Sequence, residues 1–370
     1  MARASFLHTA DLHLSRPFGF LPPQIAEERR RDQRRTLSKI VDLALERDVN
    51  FLLVAGDLFD RPDPDPSDIE AVTENFRRLT EAGKLIFAIP GNHDHCSMGG
   101  FWRRFNMDGV RVFTEPEYQS EILGDLGIIV TGIAFDRENS SRRAFEGLNL
   151  QSDLPAVILV HSSYESFEGQ IERYHPFSAA EIAQLPAAYI ALGHYHRLNF
   201  INSNGVIACY PGTPEGISFD APETEERYVI IGKIDDDGKV ATEQVPVNRR
   251  IMRSVEIDCT SFDSIDALLE AIRKVCNPAA LVEIRLTGTP PGELIPALQE
   301  VGERFKDSCY WLSVDHSGLV TSTEVDDDDR TIRGLFKQYL IKEIEKTNDP
   351  ERRRLLLRAL DLGLAALSEE

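Results

Sequence analysis

Five short motifs in this 370-residue chain concentrate residue types that bind divalent cations: Asp11-Leu12-His13, Gly56-Asp57, Gly91-Asn92-His93-Asp94, His161 and Gly193-His194-Tyr195-His196. Carboxylate and amide oxygens together with imidazole nitrogens hold Mn²⁺, Fe or Zn²⁺. Two such ions side by side form a common device for cleaving phosphoryl esters, because they share the charge that develops on the attacking and leaving oxygens. On an extended segment Asp11 and His13, two residues apart, would project to the same side and grip one ion. Asp57 follows five apolar residues on a turn that Gly56 permits, and its two oxygens suit a bridge between ions. After the Pro90-Gly91 turn, Asn92 offers a neutral oxygen, His93 is placed to act on a leaving oxygen, and Asp94 is expected to orient His93. His194 and His196 repeat the two-residue spacing and are expected to send one imidazole to each metal. Singly each motif has a plain alternative, a turn or a polar strand end. Their joint occurrence points to a dinuclear centre.

Something must bring these distant motifs together. Four of them follow short apolar runs, at residues 51–55, 85–89, 157–160 and 189–192, of the length of a buried strand, and the first ends a short strand-like run near the N-terminus. Between the first two, residues 67–80 read as a helix capped by Ser67, with Ile69, Val72, Phe76 and Leu79 along one face. This alternation predicts an α/β sheet covered by helices, with the motifs gathered at the carboxyl ends of its strands. From about residue 205 to 247 turn signals separate further strands, which predicts a second sheet packed on the first. A smaller α+β unit is expected over 251–325, with strands at 254–257, 281–286, 311–314 and 320–324 and helices at 264–275 and 292–305. The acidic run at 326–329 reads as a solvated joint. Two helices are expected after it, at 331–346 and 351–368, broken at Asn348-Asp349-Pro350. The expected divisions are thus 1–250, 251–325 and 330–370.

The formal charge of −20 argues against a generally basic nucleic-acid coat, since backbone affinity needs clustered Lys and Arg. A polyanionic substrate would require bound metals, a local groove or a partner's basic surface. The five cysteines lack Cys-x-x-Cys spacing and are expected to be reduced. No run approaches the roughly 20 apolar residues of a membrane span, and the N-terminus carries no signal-peptide pattern, so a soluble cytoplasmic protein is expected.

The motif order resembles that of the calcineurin-like metallophosphoesterase superfamily. The stretches Leu7-His8-Thr9-Ala10-Asp11-Leu12-His13-Leu14, Ala55-Gly56-Asp57-Leu58-Phe59-Asp60 and Tyr210-Pro211-Gly212-Thr213-Pro214-Glu215 are similar to its SbcD-like DNA repair exonuclease branch. The resemblance covers about residues 5–250. It implies a two-sheet sandwich flanked by helices, followed by a capping domain and a C-terminal helical pair. It implies Asp11, His13, Asp57 and His196 around one metal and Asp57, Asn92, His161 and His194 around the other. Asp57 would bridge, His93 would be the catalytic histidine, and Mn²⁺ would be the cofactor. Archaeal and eukaryotic relatives carry a second functional histidine where this chain has Asp60, which leaves the role of that position open.

The resemblance further implies a homodimer that cuts DNA, with its C-terminal helices gripping an SMC-like ABC ATPase of the SbcC type. Ile332, Leu335, Phe336, Tyr339 and Leu340, then Leu355, Leu356, Leu357, Leu360, Leu362 and Leu364, would supply that contact or dock back on their own domain. Phe101-Trp102-Arg103-Arg104-Phe105 reads equally as a dimer contact or a local core helix. Arg29, Arg30, Arg31, Arg34 and Arg35 read as a DNA-backbone contact or, given Glu27, Glu28 and Asp32, as a solvated helix face. Two further readings stand beside the repair nuclease: a stand-alone phosphodiesterase for small nucleotides, and a scaffold acting through its C-terminal helices.

Overall fold

The computed structural model describes residues 2–96, 100–137, 140–150, 152–167, 174–220, 223–291, 294–319 and 330–347, and beyond these 349, 352, 355–356, 359–360, 363–364 and 367. Its contacts divide the chain into two compact units, Met1–Met252 and Arg253–Glu370.

The first unit opens with β1 (Ala2–Thr9), α1 (Pro23–Glu46), β2 (Phe51–Ala55), α2 (Pro66–Glu81), β3 (Leu85–Ile89), the short α3 (Phe101–Arg104) and β4 (Val110–Val112). It continues with β5 (Gln119–Leu123), β6 (Ile128–Gly132), β7 (Ala156–His161), α4 (Ala179–Ile182), β8 (Ala187–Gly193), β9 (Asn199–Ser203), β10 (Val206–Tyr210), β11 (Tyr228–Asp235) and β12 (Val240–Pro246). Two six-stranded sheets result, in the orders β12-β11-β1-β2-β3-β4 and β5-β6-β7-β8-β10-β9. The four apolar runs read from sequence are strands, yet they split two and two between the sheets. The segment after residue 205 splits as well: β9 and β10 extend the second sheet, while β11 returns to pair antiparallel with β1 in the first. An apolar run records that a strand is buried on both faces and carries nothing about which neighbour it pairs with.

Alternating side chains of the strands serve different layers. Leu7, Leu52 and Val54 face α1 and α2 and meet Leu37, Ile40, Val41, Val72, Phe76 and Leu79. Phe6, Phe51, Leu53 and Phe87 face the second sheet and meet Val130, Val157, Leu159 and Tyr189 between the two sheets. Helix α2 starts earlier than its spacing suggests: Asp65 is the N-cap and Pro66 opens the first turn, so Ser67 lies inside the helix. Proline lacks the N–H that the first turn would leave without a partner, and its fixed φ suits that position.

The second unit takes up all but the first residue of β13 (Met252–Asp258), then α5 (Ile265–Val275), β14 (Leu281–Gly288), α6 (Ile295–Phe305), β15 (Trp311–Leu319) and α7 (Ile332–Lys346). Its three-stranded sheet runs β13-β14-β15, with β14 and β15 parallel. Ser264 caps α5 by accepting from the Ala267 N–H, and Thr331 caps α7 by accepting from the Gly334 N–H. The strand expected at 320–324 and the acidic run at 326–329 lie outside the described residues, as does much of the helix expected at 351–368. No helix among the described residues is long and apolar enough to cross a membrane.

Candidate metal centre

The parallel strands β1, β2 and β3 deliver Asp11 and His13, Asp57, and Asn92 to Asp94 just past their carboxyl ends. The parallel pair β7 and β8 delivers His161 and the 194–196 segment from the other sheet. The His161 Nδ1–H donates to Ala55 O at 3.0 Å and so ties the end of β7 to that of β2. Asp11, His13 and His196 each place one ligand atom within 4.8 Å of the others, as do His13, Asp57 and His93, and Asp11, Asp57 and His161.

The local backbone differs from the extended geometry expected of Asp11-Leu12-His13. Strand β1 ends at Thr9, and Asp11 and His13 have φ of +53° and +47°. Asp57 at +48° and His194 at +107° are likewise left-handed. Each costs of order 1–3 kcal/mol and persists only where the surroundings over-determine it. Here they do: the Asp11 N–H donates to Gly56 O, and the His194 N–H donates to both Asp11 oxygens at 3.0 and 3.1 Å.

The ring tautomers give the clearest chemical sign. His13 Nδ1–H donates to Asp60 Oδ1 at 3.0 Å, and His196 Nδ1–H donates to the Glu223 carboxylate. Both Nε2 lone pairs therefore face one another, 3.2 Å apart, with Asp57 Oδ2 at 3.7 Å from His13 Nε2. Electron-rich atoms arranged in this way match a shared cation. At the other end, Asn92 Oδ1 lies 2.9 Å from His161 Nε2 and 3.2 Å from His194 Nδ1, and Asp57 Oδ2 lies 3.3 Å from His161 Nε2. His194 and His196 thus turn to opposite ends of the cluster. The donor set fits two divalent ions.

The electrostatics set protons against metal ions at this cluster: burial lowers His196, but Glu223, Asp11 and Asp57 outweigh it and raise it, so a cation must displace a proton there. Burial works to neutralise Asp57, but His161, His13 and His93 outweigh it and hold its carboxyl well below the usual range. Burial raises Asp11, against the pull of His161 and His196. Burial opposes a charge on His161, yet Asp57 and Asp11 push it up to about 9. A proton on His161 and a divalent ion therefore compete for the place beside Asp57. Burial lowers His13, and it takes His194 down to about 3, so both stay neutral and able to ligate.

Asp94 does not orient His93. Its Oδ1 accepts from the Gly91 N–H at 2.7 Å, and its Oδ2 accepts from the Phe59 N–H at 3.2 Å and Trp102 Nε1–H at 2.9 Å. Burial and the neighbouring Asp57 push this carboxyl up to about 6. It is a brace that ties the histidine turn to the Asp57 turn and to the Trp102 indole, because buried N–H groups need an acceptor among them. His93 is exposed; its N–H donates to Asp57 Oδ1 at 2.9 Å and its ring Nδ1–H to Asp60 O at 3.3 Å. The aromatics after the turn are local core: Phe101 and Trp102 are buried against Phe59 and Phe105.

Two contributors escape the motif reading. Asp60 sets the His13 tautomer and is bound by Arg16 Nη1 at 3.0 Å. Glu223 does the same for His196 from a loop far along the chain. A sequence shows Asp60 as a motif neighbour but gives Glu223 no signal. The basic cluster is consumed internally. Arg29 is fully buried, with Nη1 at 2.7 Å from Glu215 Oε1 and 3.3 Å from Asp32 Oδ2, while Arg30, Arg31, Arg34 and Arg35 pair with Glu27, Glu28 and Asp68.

Comparisons with known proteins agree with this geometry. Residues 4–198 match the family model described as calcineurin-like phosphoesterase. The chain is similar to the uncharacterised metallophosphoesterase YhaO of Bacillus subtilis, at 25% identity over 88% of this chain and 81% of that one. It is similar to the DNA double-strand break repair protein Mre11 of Aeropyrum pernix, at 30% identity over 73% of this chain and 67% of that one. It is also similar to the SbcD component of the nuclease SbcCD of Bacillus subtilis, at 26% identity over 61% of this chain and 65% of that one. The two-sheet α/β sandwich, the convergent ligand set and the family match over residues 4–198 lead to one conclusion: the chain belongs to the calcineurin-like phosphoesterase family of metal-dependent enzymes.

Proposed function

We propose that this metallophosphoesterase hydrolyses DNA phosphodiester bonds as the exonuclease subunit of an SbcCD-type repair complex. The observation that carries the two-metal chemistry is the pair of imidazoles, His13 and His196, whose Nε2 lone pairs converge while carboxylates hold their opposite nitrogens. Asp11, His13, Asp57 and His196 would hold one ion and Asp57, Asn92, His161 and His194 the second, with Asp57 between them. Two bound divalent ions supply Lewis acidity at phosphorus and a water acidic enough to act as nucleophile near neutral pH. His93, with its Nδ1–H directed to Asp60 O, is exposed and keeps one ring nitrogen within 4.8 Å of the ligand atoms of His13 and Asp57. It would donate a proton to the leaving oxygen, a role that contributes about 10²–10⁴-fold to such reactions.

The DNA substrate is supported by the relatives named as Mre11 and as the SbcD component of SbcCD. Mn²⁺ suits a set that mixes carboxylate, amide and imidazole donors. Residues 251–325 would cap the nuclease domain. The ATPase partner would take the helical pair at 330–370, where Ile332, Leu335 and Tyr339 present exposed apolar side chains on α7. A homodimer acting in the cytoplasm completes the proposal. The net charge of −20 favours a second reading, a stand-alone small-nucleotide phosphodiesterase.

Purified protein with Mn²⁺ separates the two when offered linear DNA, circular DNA and a generic phosphodiester reporter, with and without the ATPase. Cleavage of linear DNA is expected, and turnover of the reporter alone in both conditions would refute the nuclease reading. His93→Ala should lower turnover at least about 100-fold while two ions per chain are retained. Loss of both ions in that variant would show that His93 is a ligand.

A further inference from the structure

His196 is held at its ring by Glu223 and at its backbone carbonyl by Arg227, two residues outside the ligand set. Glu223 is almost fully buried; its Oε1 accepts from His196 Nδ1–H, and its Oε2 accepts from Thr213 Oγ1–H at 2.9 Å and the Ile217 N–H at 3.3 Å. Arg227 Nη2 donates to His196 O, and its Nε donates to Thr213 O at 2.9 Å. Gly212, at φ +76°, makes room for this: a Cβ there would lie 2.6 Å from His196 O and 2.8 Å from Arg227 Nη2. The segment from Tyr210 to Glu215, which holds no metal donor, thus seats a carboxylate behind one imidazole and a guanidinium on the same residue's carbonyl.

The opposite end of the cluster is built differently. His161 has the neutral Ala55 carbonyl behind its Nδ1, whereas His13 and His196 have the carboxylates of Asp60 and Glu223 behind theirs. An anionic acceptor fixes the tautomer and makes the ligating nitrogen a stronger donor to a cation.

We infer that Glu223 is a positioning residue for His196, and that with Asp60 it makes the His13–His196 end of the cluster the tighter of two unequal metal positions. This rests on the reading of the cluster as a two-metal centre. Loading is therefore stepwise: one ion is held firmly by Asp11, His13 and His196, and the ion at Asn92, His161 and His194 exchanges more readily.

The test is a titration of the chelator-stripped full chain with Mn²⁺ alone, following the free-ion electron paramagnetic resonance signal, for the wild type, Glu223→Gln and Glu223→Ala. The wild type is expected to bind two ions with distinct affinities. Glu223→Ala should weaken the tighter ion about 10–100-fold and leave the weaker one nearly unchanged. Glu223→Gln keeps an acceptor oxygen and drops the charge, so it should give a smaller loss at the same ion. A role confined to folding would instead lower the melting temperature and spare the affinities. If the alanine variant does not fold, the glutamine variant decides. If the wild type binds two ions and the folded variants match it, or if the loss falls on the weaker ion, the inference is overturned while the metal centre stands. If the wild type binds no Mn²⁺, the metal centre itself is refuted and the inference falls with it.

Discussion

His8 offers a quantitative test of the packing between the two sheets. It lies on β1 beside the metal-binding turn but ligates nothing; it is fully buried, with Tyr189 Oη 3.0 Å from its Nδ1. Burial pushes it from its ordinary 6.5 down to about 3, so the folded chain keeps this ring neutral across the range in which an unfolded chain protonates it. The unfolded state then binds one more proton at this ring, so the His8 contribution to stability rises with pH below 6.5 and is level above it. Each pH unit between 6.5 and about 3 removes about 1.4 kcal/mol, or about 2 kcal/mol at pH 5 relative to neutrality. Replacing His8 by Leu abolishes the proton uptake and leaves a constant penalty for the lost Tyr189 contact. Urea unfolding of both proteins at pH 7, 6 and 5, with a chelator present so that metal loading does not intrude, should show the wild type losing its lead by about 2 kcal/mol over that interval. A stability difference that stays constant with pH would refute the assignment of a buried neutral ring.

Two further outcomes follow from close contacts. Gly56→Ala would place a Cβ 2.3 Å from His161 Nδ1 at a position with φ of +92°, so it should displace that imidazole, lower bound metal below two ions per chain and cut turnover by at least about tenfold, as metal analysis beside a reporter assay would show. Glu215→Ala removes the main partner of the fully buried Arg29 guanidinium and should cost about 3–5 kcal/mol in urea unfolding, whereas a loss below about 1 kcal/mol would mean that Asp32 and the Gly216 carbonyl suffice.

Much of this arrangement is legible in the sequence alone. The strands at 51–55 and 85–89 can be read to the residue because each is an unbroken apolar run between polar stretches. The ligand types can be read because hard donors rarely cluster at so many strand ends without a cation to hold. The rest depends on partners distant in sequence. The left-handed backbone at Asp11 and His13 is imposed by hydrogen bonds to the Gly56–Leu58 segment, which no local spacing reveals. Asp94 looks like a neighbour of His93, but its two oxygens are already taken by three N–H groups. Glu223 and Glu215 reach their partners only after the chain has crossed both sheets.

The cluster draws Asp11, His13, Asp57 and Asn92 from one sheet and His161, His194 and His196 from the other. The spacing of the two halves is therefore a property of the layer between the sheets, where Phe6, Phe51 and Phe87 meet Val157, Leu159 and Tyr189. Such a layer works as a gauge block: its thickness is set by side-chain volume, and the reacting groups inherit that thickness as their separation. A methylene added or removed there, far from any donor atom, re-tunes the chemistry. The tolerance of this interior to substitution is thereby the tolerance of the reaction as well as that of folding.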